Sequence, residues 1–308
     1  MTAISATGLT KSYGDKAVLA GIDLQIPAGT VFALLGPNGA GKTTTVQILS
    51  TLIPADGGTA RVAGHDVVRE ADGVRKAIGV TGQFSAVDNL LTAEENLLLM
   101  ADLNHLRRRE GRRRAEELLH RFDLAGAART PVTTFSGGMR RKLDLAMTLV
   151  GDPEVIFLDE PTTGLDPRSR RTMWEIIRGL VADQGVTVLL TTQYLDEADQ
   201  LADRIAVLDG GRIVAEGTAE ELKRIVPGGL IRLRFADAAQ LGAAAGLFDY
   251  AAVDTEALRL DIPGDNSVIT VKAVLDALDN ASVRAESLVV ETADLDDVFL
   301  TLTGEGVR

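Results

Sequence analysis

The sequence predicts an α/β protein: a mixed, mainly parallel sheet with an antiparallel β layer and a helical subdomain, followed by a small α+β C-terminal domain. Three observations predict it. Apolar strand-like runs such as Val186-Thr187-Val188-Leu189-Leu190 and Ile205-Ala206-Val207-Leu208 alternate with helical segments, the rhythm of βαβ units on a parallel sheet. The first 30 residues read instead as short strands with a hairpin-like break. At Pro227-Gly228-Gly229 the chain is punctuated and its pattern changes, which sets domains at 1–226 and 230–308.

Taken in order, residues 4–10, 17–24 and 25–30 read as strands, with the break at Gly14-Asp15. They predict an antiparallel layer on the core. The apolar run Val31-Phe32-Ala33-Leu34-Leu35 reads as a buried strand and leads through a glycine-rich segment to a helix beginning near Thr44. Residues 93–127 are helical in pattern and define a helical subdomain at about 90–150. They carry Arg107-Arg108-Arg109 and Arg112-Arg113-Arg114, read as a solvated helix face, with lipid head groups or a partner loop as the sharper alternative. Beyond residue 229, strands at 230–235, 250–254, 258–262 and 283–290 and helices at 238–247 and 267–278 give the order βαββαβ, a split-βαβ sandwich. The last segment, 295–302, spaces its apolar residues for one helical face, more often core packing than a dimer or partner contact.

Length and composition limit the function. The chain has 308 residues, 45% of them hydrophobic, enough for one large core and one smaller domain. Its zero cysteines exclude disulfides, thiolate metal sites and thiol catalysis, and suit a reducing cytosol. The first residues show neither the basic nor the apolar region of a signal peptide, and no stretch is an unbroken membrane span. A soluble chain is expected, so any membrane role requires a partner. Net charge is −12, and residues 227–308 hold 14 Asp and Glu against 6 Lys and Arg. That balance argues against nucleic acid or anionic lipid as the tail's ligand.

Two distant segments carry chemistry. Gly36-Pro37-Asn38-Gly39-Ala40-Gly41-Lys42-Thr43 fits G-x-x-x-x-G-K-[ST] at a strand-to-helix turn. Glycines let backbone N–H groups curl around phosphate oxygens, the helix N-terminus adds partial positive charge, and Lys42 adds a full one. Thr43 would offer a hydroxyl to Mg²⁺. The second segment, Val155-Ile156-Phe157-Leu158-Asp159-Glu160, reads as a buried strand presenting two carboxylates at its C-terminal end. Asp159 would hold Mg²⁺ through its water shell. Glu160, expected to point the other way along the strand, would orient and deprotonate the water that attacks a γ-phosphate. Together the segments point to ATP hydrolysis.

With these residues in hand, residues 4–226 resemble an ATP-binding cassette (ABC) transporter ATPase, a P-loop NTPase fold. The match rests on the phosphate loop through Thr44, Gln83 in Thr81-Gly82-Gln83 as the Q-loop, Phe135-Ser136-Gly137-Gly138-Met139 as the signature, Asp159-Glu160 as the Walker B end, Gly164-Leu165-Asp166 as the D-loop, and Tyr13 as the adenine-stacking aromatic. The resemblance implies that Gln83 reaches Mg²⁺ while its loop touches a membrane subunit. It also implies that Ser136, Gly137 and Gly138 receive the γ-phosphate bound by a second copy of the chain, so that ATP joins two cassettes. A peripheral place on the cytoplasmic face of the cell membrane, beside an integral membrane permease, follows from the same resemblance.

Two positions depart from the pattern. The switch position, normally His, is Gln193 in Thr191-Thr192-Gln193-Tyr194-Leu195-Asp196-Glu197-Ala198. Its amide can donate to a γ-phosphate but carries neither proton nor charge, so hydrolysis is expected to be retained but slowed. Met139 replaces the signature Gln. Within the family the chain is most similar to ATP-binding subunits of daunorubicin/doxorubicin-resistance exporters, through segments 80–83, 135–142, 190–199 and 295–300. That resemblance implies export of a hydrophobic drug, antibiotic or lipid. The alternatives are a non-transport ABC ATPase and a regulatory module with weakened hydrolysis.

Overall fold

The computed structural model describes residues 1–82, 86–225, 229–248, 250–264, 267–291 and 294–303. Gln83 and the Pro227-Gly228 break lie outside them. Contacts divide the chain into two compact units, 1–219 and 220–308, so the division falls a few residues ahead of the expected 226/230 boundary.

In the first unit, β1 (Thr2–Tyr13) and β2 (Lys16–Pro27) form a long antiparallel hairpin that turns at Gly14-Asp15. The expected third strand at 25–30 does not form. Residues 25–27 finish β2 because Ile26 stays in the core opposite Ile4, and the chain breaks at Gly29, whose φ is 71°. β4 (Gly57–Val62) and β5 (His65–Asp66) complete this layer in the order β2-β1-β4-β5.

The second sheet runs β10-β9-β3-β8-β7-β6. It comprises β3 (Val31–Leu35), β6 (Ile78–Thr81), β7 (Val155–Asp159), β8 (Thr187–Thr192), β9 (Arg204–Asp209) and the antiparallel edge β10 (Arg212–Gly217). Every residue of β3, β7 and β8 is buried, as continuous apolar runs covered on both faces require. The hairpin layer and β3 share one core through Ile4, Leu24, Phe32 and Phe157.

Helices α1 (Lys42–Leu49), α2 (Ala71–Ala77), α6 (Pro167–Gln184) and α7 (Leu195–Leu201) connect these strands, and the short α8 (Ala219–Lys223) follows β10 at the boundary between the units. Between β6 and β7 lie α3 (Ala93–Leu103), α4 (Arg108–Arg121) and α5 (Gly137–Thr148). The helical pattern at 93–127 is therefore two helices and a short 3₁₀ turn, not one. Asn104 ends α3 and His105 takes a left-handed φ of 57°, while Thr92 and Glu95 form a reciprocal capping box at the start of α3. Of the arginines, Arg107, Arg108, Arg109, Arg112 and Arg113 are exposed, whereas Arg114 donates to Leu149 O and pairs with Asp152. The solvated face holds for five of the six.

The second unit contains β11 (Gly229–Phe235), α9 (Ala238–Ala245), β12 (Ala252–Asp254), β13 (Arg259–Gly264), α10 (Val268–Asn280), β14 (Ala285–Glu291) and α11 (Leu295–Thr303). The order βαββαβ is observed, with an antiparallel sheet β12-β13-β11-β14. Ile231, Leu233 and Leu260 pack against Leu241, Val274 and Leu278 of the helices. Leu295 and Val298 of α11 are buried, so the terminal apolar stripe serves packing.

Candidate active site

The carboxyl ends of β3, β8 and β7 lie side by side, because Leu35 pairs with Thr192 and Asp159 with Thr191. This is the edge where open α/β sheets bind ligands. After β3 the chain turns through residues 36–41 into α1. Gly36 N donates to Thr192 O at 3.2 Å, and a Cβ at Gly36 would lie 2.2 Å from Leu208 O. Gly41, at φ 112°, caps α1 where a side chain would strike Leu19 and Val18 O. Both positions therefore exclude side chains, and the loop's N–H groups lead directly into the N-terminus of α1, a ready anion site.

Lys42 is buried at the first position of α1. Its Nζ donates to Gly36 O at 2.8 Å and Pro37 O at 3.1 Å, and lies 3.9 Å from Glu160 Oε1. Burial pulls its pKa down, and the Glu160 and Asp159 carboxylates pull it back up. Thr43, exposed beside it, donates to Asp159 Oδ1 at 3.2 Å. Thr44 is half-buried one residue further on.

The second segment differs from expectation. β7 ends at Asp159, and Glu160 does not continue its alternation: φ is +49°, left-handed and non-glycine, a conformation that costs on the order of 1–3 kcal/mol. Its N–H donates to Thr191 O and Thr191 Oγ1, both at 3.1 Å, and Thr163 Oγ1 donates to Glu160 Oε2 at 3.2 Å. Thr191 Oγ1 also donates to Asp159 Oδ1. Glu160 Oε1 thus lies 3.9 Å from Lys42 Nζ, while Asp159 accepts from Thr43 and Thr191 and its charge raises the Lys42 pKa.

Among the described residues, no cluster of three or more His, Cys, Asp or Glu could cage a metal. One hydroxyl and one carboxylate, Thr43 and Asp159, suit an ion such as Mg²⁺, which keeps several waters and takes phosphate oxygens.

The remaining candidates occupy distinct places. Tyr13 closes β1, half-exposed, with Lys11 Nζ 5.7 Å from its ring centroid. Ser136 caps α5 by accepting from Met139 N, and Gly137 and Gly138 form the first turn. A Cβ at Gly138 would meet Ser169 Oγ at 2.7 Å. Asp166 caps α6 through Arg168 N and Ser169 N, and hydrogen bonds from Ser169 hold its carboxyl below the usual range. Gln193 follows β8 directly and is half-buried. Beside it, Thr192 Oγ1 accepts from Tyr194 N, and the Arg170 guanidinium lies 4.9 Å from the Tyr194 ring centroid.

Sequence reasoning missed four residues. Thr191 is placed by strand register, which a motif scan does not read. Arg141 and Asp144 lie three residues apart on α5, directly after the signature. Buried Glu197 accepts from Thr162 Oγ1 at 2.7 Å and Trp174 Nε1 at 3.2 Å. Its burial follows from tertiary packing, which the sequence pattern does not show.

Comparison with known proteins agrees with this geometry. The ABC transporter family pattern matches residues 19–163. The daunorubicin resistance ATP-binding protein DrrA3 of Streptomyces coeruleorubidus is 52% identical over 309 residues, spanning all of this chain and 98% of that protein. A daunorubicin/doxorubicin resistance ATP-binding protein of Streptomyces peucetius is 49% identical, over 98% of this chain and 92% of its own. Among solved structures, a dimeric ATP-binding cassette in a post-hydrolysis state with ADP and Pi superimposes with a TM-score of 0.63 at 26% identity, covering 70% of this chain and 98% of that one. Likeness of this extent along the whole chain, on top of the phosphate loop and paired carboxylates, makes it a member of the ABC transporter family: an ATP-binding subunit whose ATP hydrolysis is coupled to transport.

Proposed function

We propose that this chain energises efflux of a hydrophobic drug, antibiotic or lipid through a separate integral membrane permease, by ATP-driven pairing with a second copy of itself. The observation that carries the reading is the convergence of Lys42, Thr43, Asp159 and Glu160 at the ends of β3 and β7.

In this reading the loop 36–44 holds the phosphates of ATP through backbone N–H groups and Lys42, and Tyr13 stacks on adenine. Thr43 and Asp159 would hold Mg²⁺, joined by Gln83 on the family resemblance, and the ion would supply positive charge against the charge that develops on the phosphates. Glu160 accepts a proton from the water that attacks the γ-phosphorus, the bond to the bridging oxygen breaks, and ADP and phosphate leave. Ser136, Gly137 and Gly138, at the N-terminus of α5, cover the γ-phosphate held by the partner copy, and Asp166 lines the same seam. Closure excludes water, and hydrolysis removes the bridging charge and reopens the pair. Coupled to a permease at the cytoplasmic membrane face, that cycle drives alternating access. The chain's acidic balance argues against nucleic acid as a partner. Among the described residues no helix is long and apolar enough to cross a membrane.

Gln193 favours one second reading, a regulatory module with weakened hydrolysis. The two separate in steady-state ATP hydrolysis by the purified chain, alone and with its permease. Glu160→Gln should lower turnover by about 10²–10⁴-fold while ATP still binds, and the permease should raise turnover of the parent. Gln193→His should turn over faster than the parent. A parent no faster than Glu160→Gln in either setting would give the regulatory module the lead.

A further inference from the structure

Directly after the signature turn, α5 carries a buried ion pair that the motifs do not name. Arg141 Nη1 meets Asp144 Oδ2 at 3.0 Å, with side-chain exposures of 12% and 2%. Every nitrogen of the guanidinium is engaged. Nε donates to Pro161 O at 2.8 Å, Nη2 to Asp159 O at 3.3 Å and Glu160 O at 3.5 Å, and Nη1 also to Gly82 O at 3.2 Å. Asp144 in turn accepts from Ala86 N at 3.1 Å.

We propose that Arg141, braced by Asp144, is a positioning residue for hydrolysis: it fixes the backbone of the turn that aims Glu160 and links that turn to the chain on either side of residues 83–85. Three consecutive carbonyls, of residues 159, 160 and 161, converge on one cation. The middle one belongs to the left-handed residue, which is where a turn needs outside support. A planar fork with five N–H donors can hold three carbonyls and a carboxylate together, and the compact ammonium of lysine cannot. The same helix opens at Ser136, so one rigid element joins the signature, the catalytic turn and the residues flanking the Q-loop. A displacement of Gly82 would reach the Glu160 turn through Arg141 alone, without passing through the phosphate loop.

The inference rests on Glu160 as the base, and the test separates the two. The full-length chain is compared with Arg141→Gln, Arg141→Lys, Asp144→Asn and Glu160→Gln for kcat, KM and binding of a fluorescent ATP analogue, with melting temperature measured alongside. Arg141→Gln is expected to lower kcat by about 10- to 100-fold while KM and analogue affinity stay within about twofold. Arg141→Lys is expected to recover only a minor part of that loss, and Asp144→Asn to show a smaller loss of the same kind. Parental kcat in Arg141→Gln overturns the proposal, as does full rescue by lysine or a loss of kcat that tracks a matching loss of ATP affinity and melting temperature. If Arg141→Gln does not fold, Arg141→Lys decides alone: lowered kcat at parental affinity supports the role, and parental kcat removes it. Glu160→Gln turning over like the parent would instead sink the assignment of the base.

Discussion

The glycine-rich loop before α1 and the turn after β7 sit at the same end of the sheet, yet they are held in shape by different means. The loop is held largely by its own residues: Lys42 folds back on Gly36 O and Pro37 O and α1 begins at once, while Gly36 N donates to Thr192 O and Gly36 and Gly41 abut Leu208 O and Val18 O. The turn at 159–163 is shaped from a distance. Thr191 of the neighbouring strand supplies two acceptors to Glu160 N and a donor to Asp159, and Arg141 on α5 gathers three of the turn's carbonyls. A loop held largely by its own residues depends less on changes elsewhere. A turn held by outside groups responds to them.

The sharpest way to break the contrast is Gly36→Ala. The added Cβ would sit 2.2 Å from the Leu208 carbonyl oxygen, and backbone offers no rotamer by which to yield. Overpacking of this kind costs about 1–3 kcal/mol or more, which lowers the melting temperature by about 2–4 °C per kcal/mol in a unit of this size. ATP affinity should fall with it, because the displaced residue opens the loop. An alanine variant with parental melting and parental ATP affinity would mean that the loop is not set by this close approach.

Thr191→Val tests the other side. It removes one acceptor for Glu160 N, leaving Thr191 O, and the donor to a buried Asp159 oxygen, with an expected loss of about 1–3 kcal/mol in stability. Here kcat should fall further than ATP affinity, the reverse of the order for Gly36→Ala. Equal losses in both would place Thr191 with the phosphate loop and erase the contrast.

That division also explains what the sequence could convey. Gly36, Gly41, Lys42 and Thr43 lie within one eight-residue segment, so spacing carried most of their geometry, and the burial of β3, β7 and β8 followed from unbroken apolar runs. The βαββαβ order of the second unit was legible from alternation of period. Glu160 was the failure within a correctly read segment: strand alternation was extended one residue too far, and the left-handed turn depends on Thr191 and Arg141, 31 and 19 residues away in sequence. The strand assigned to 25–30 failed for a related reason, because Ile26 pairs across the hairpin and holds the preceding residues in β2. Where pairing partners are distant, the local pattern of the chain underdetermines the backbone.

The smallest expected effect concerns Glu197, which follows Gln193 by one helical turn and is fully buried. Burial raises its carboxyl above the usual value, against hydrogen bonds from Thr162 and Trp174 and the charge of Arg170. Between the unfolded value, about 4.3, and the raised folded value, the native state holds more protons than the unfolded chain. The contribution to stability is therefore complete below that window and is lost as pH rises through the folded value. Glu197→Gln keeps a neutral acceptor for Thr162 and Trp174 and removes the titration. The melting temperature of the parent minus that of the variant should fall as pH increases across the window, by on the order of a few degrees, while acid effects common to both chains cancel in the difference. A difference that stays flat from pH 4 to pH 8 would mean that Glu197 keeps its ordinary acidity in the fold. The carboxylate would then be ionised inside the fold, with its hydrogen bonds from Thr162 and Trp174 and the Arg170 charge offsetting burial in full.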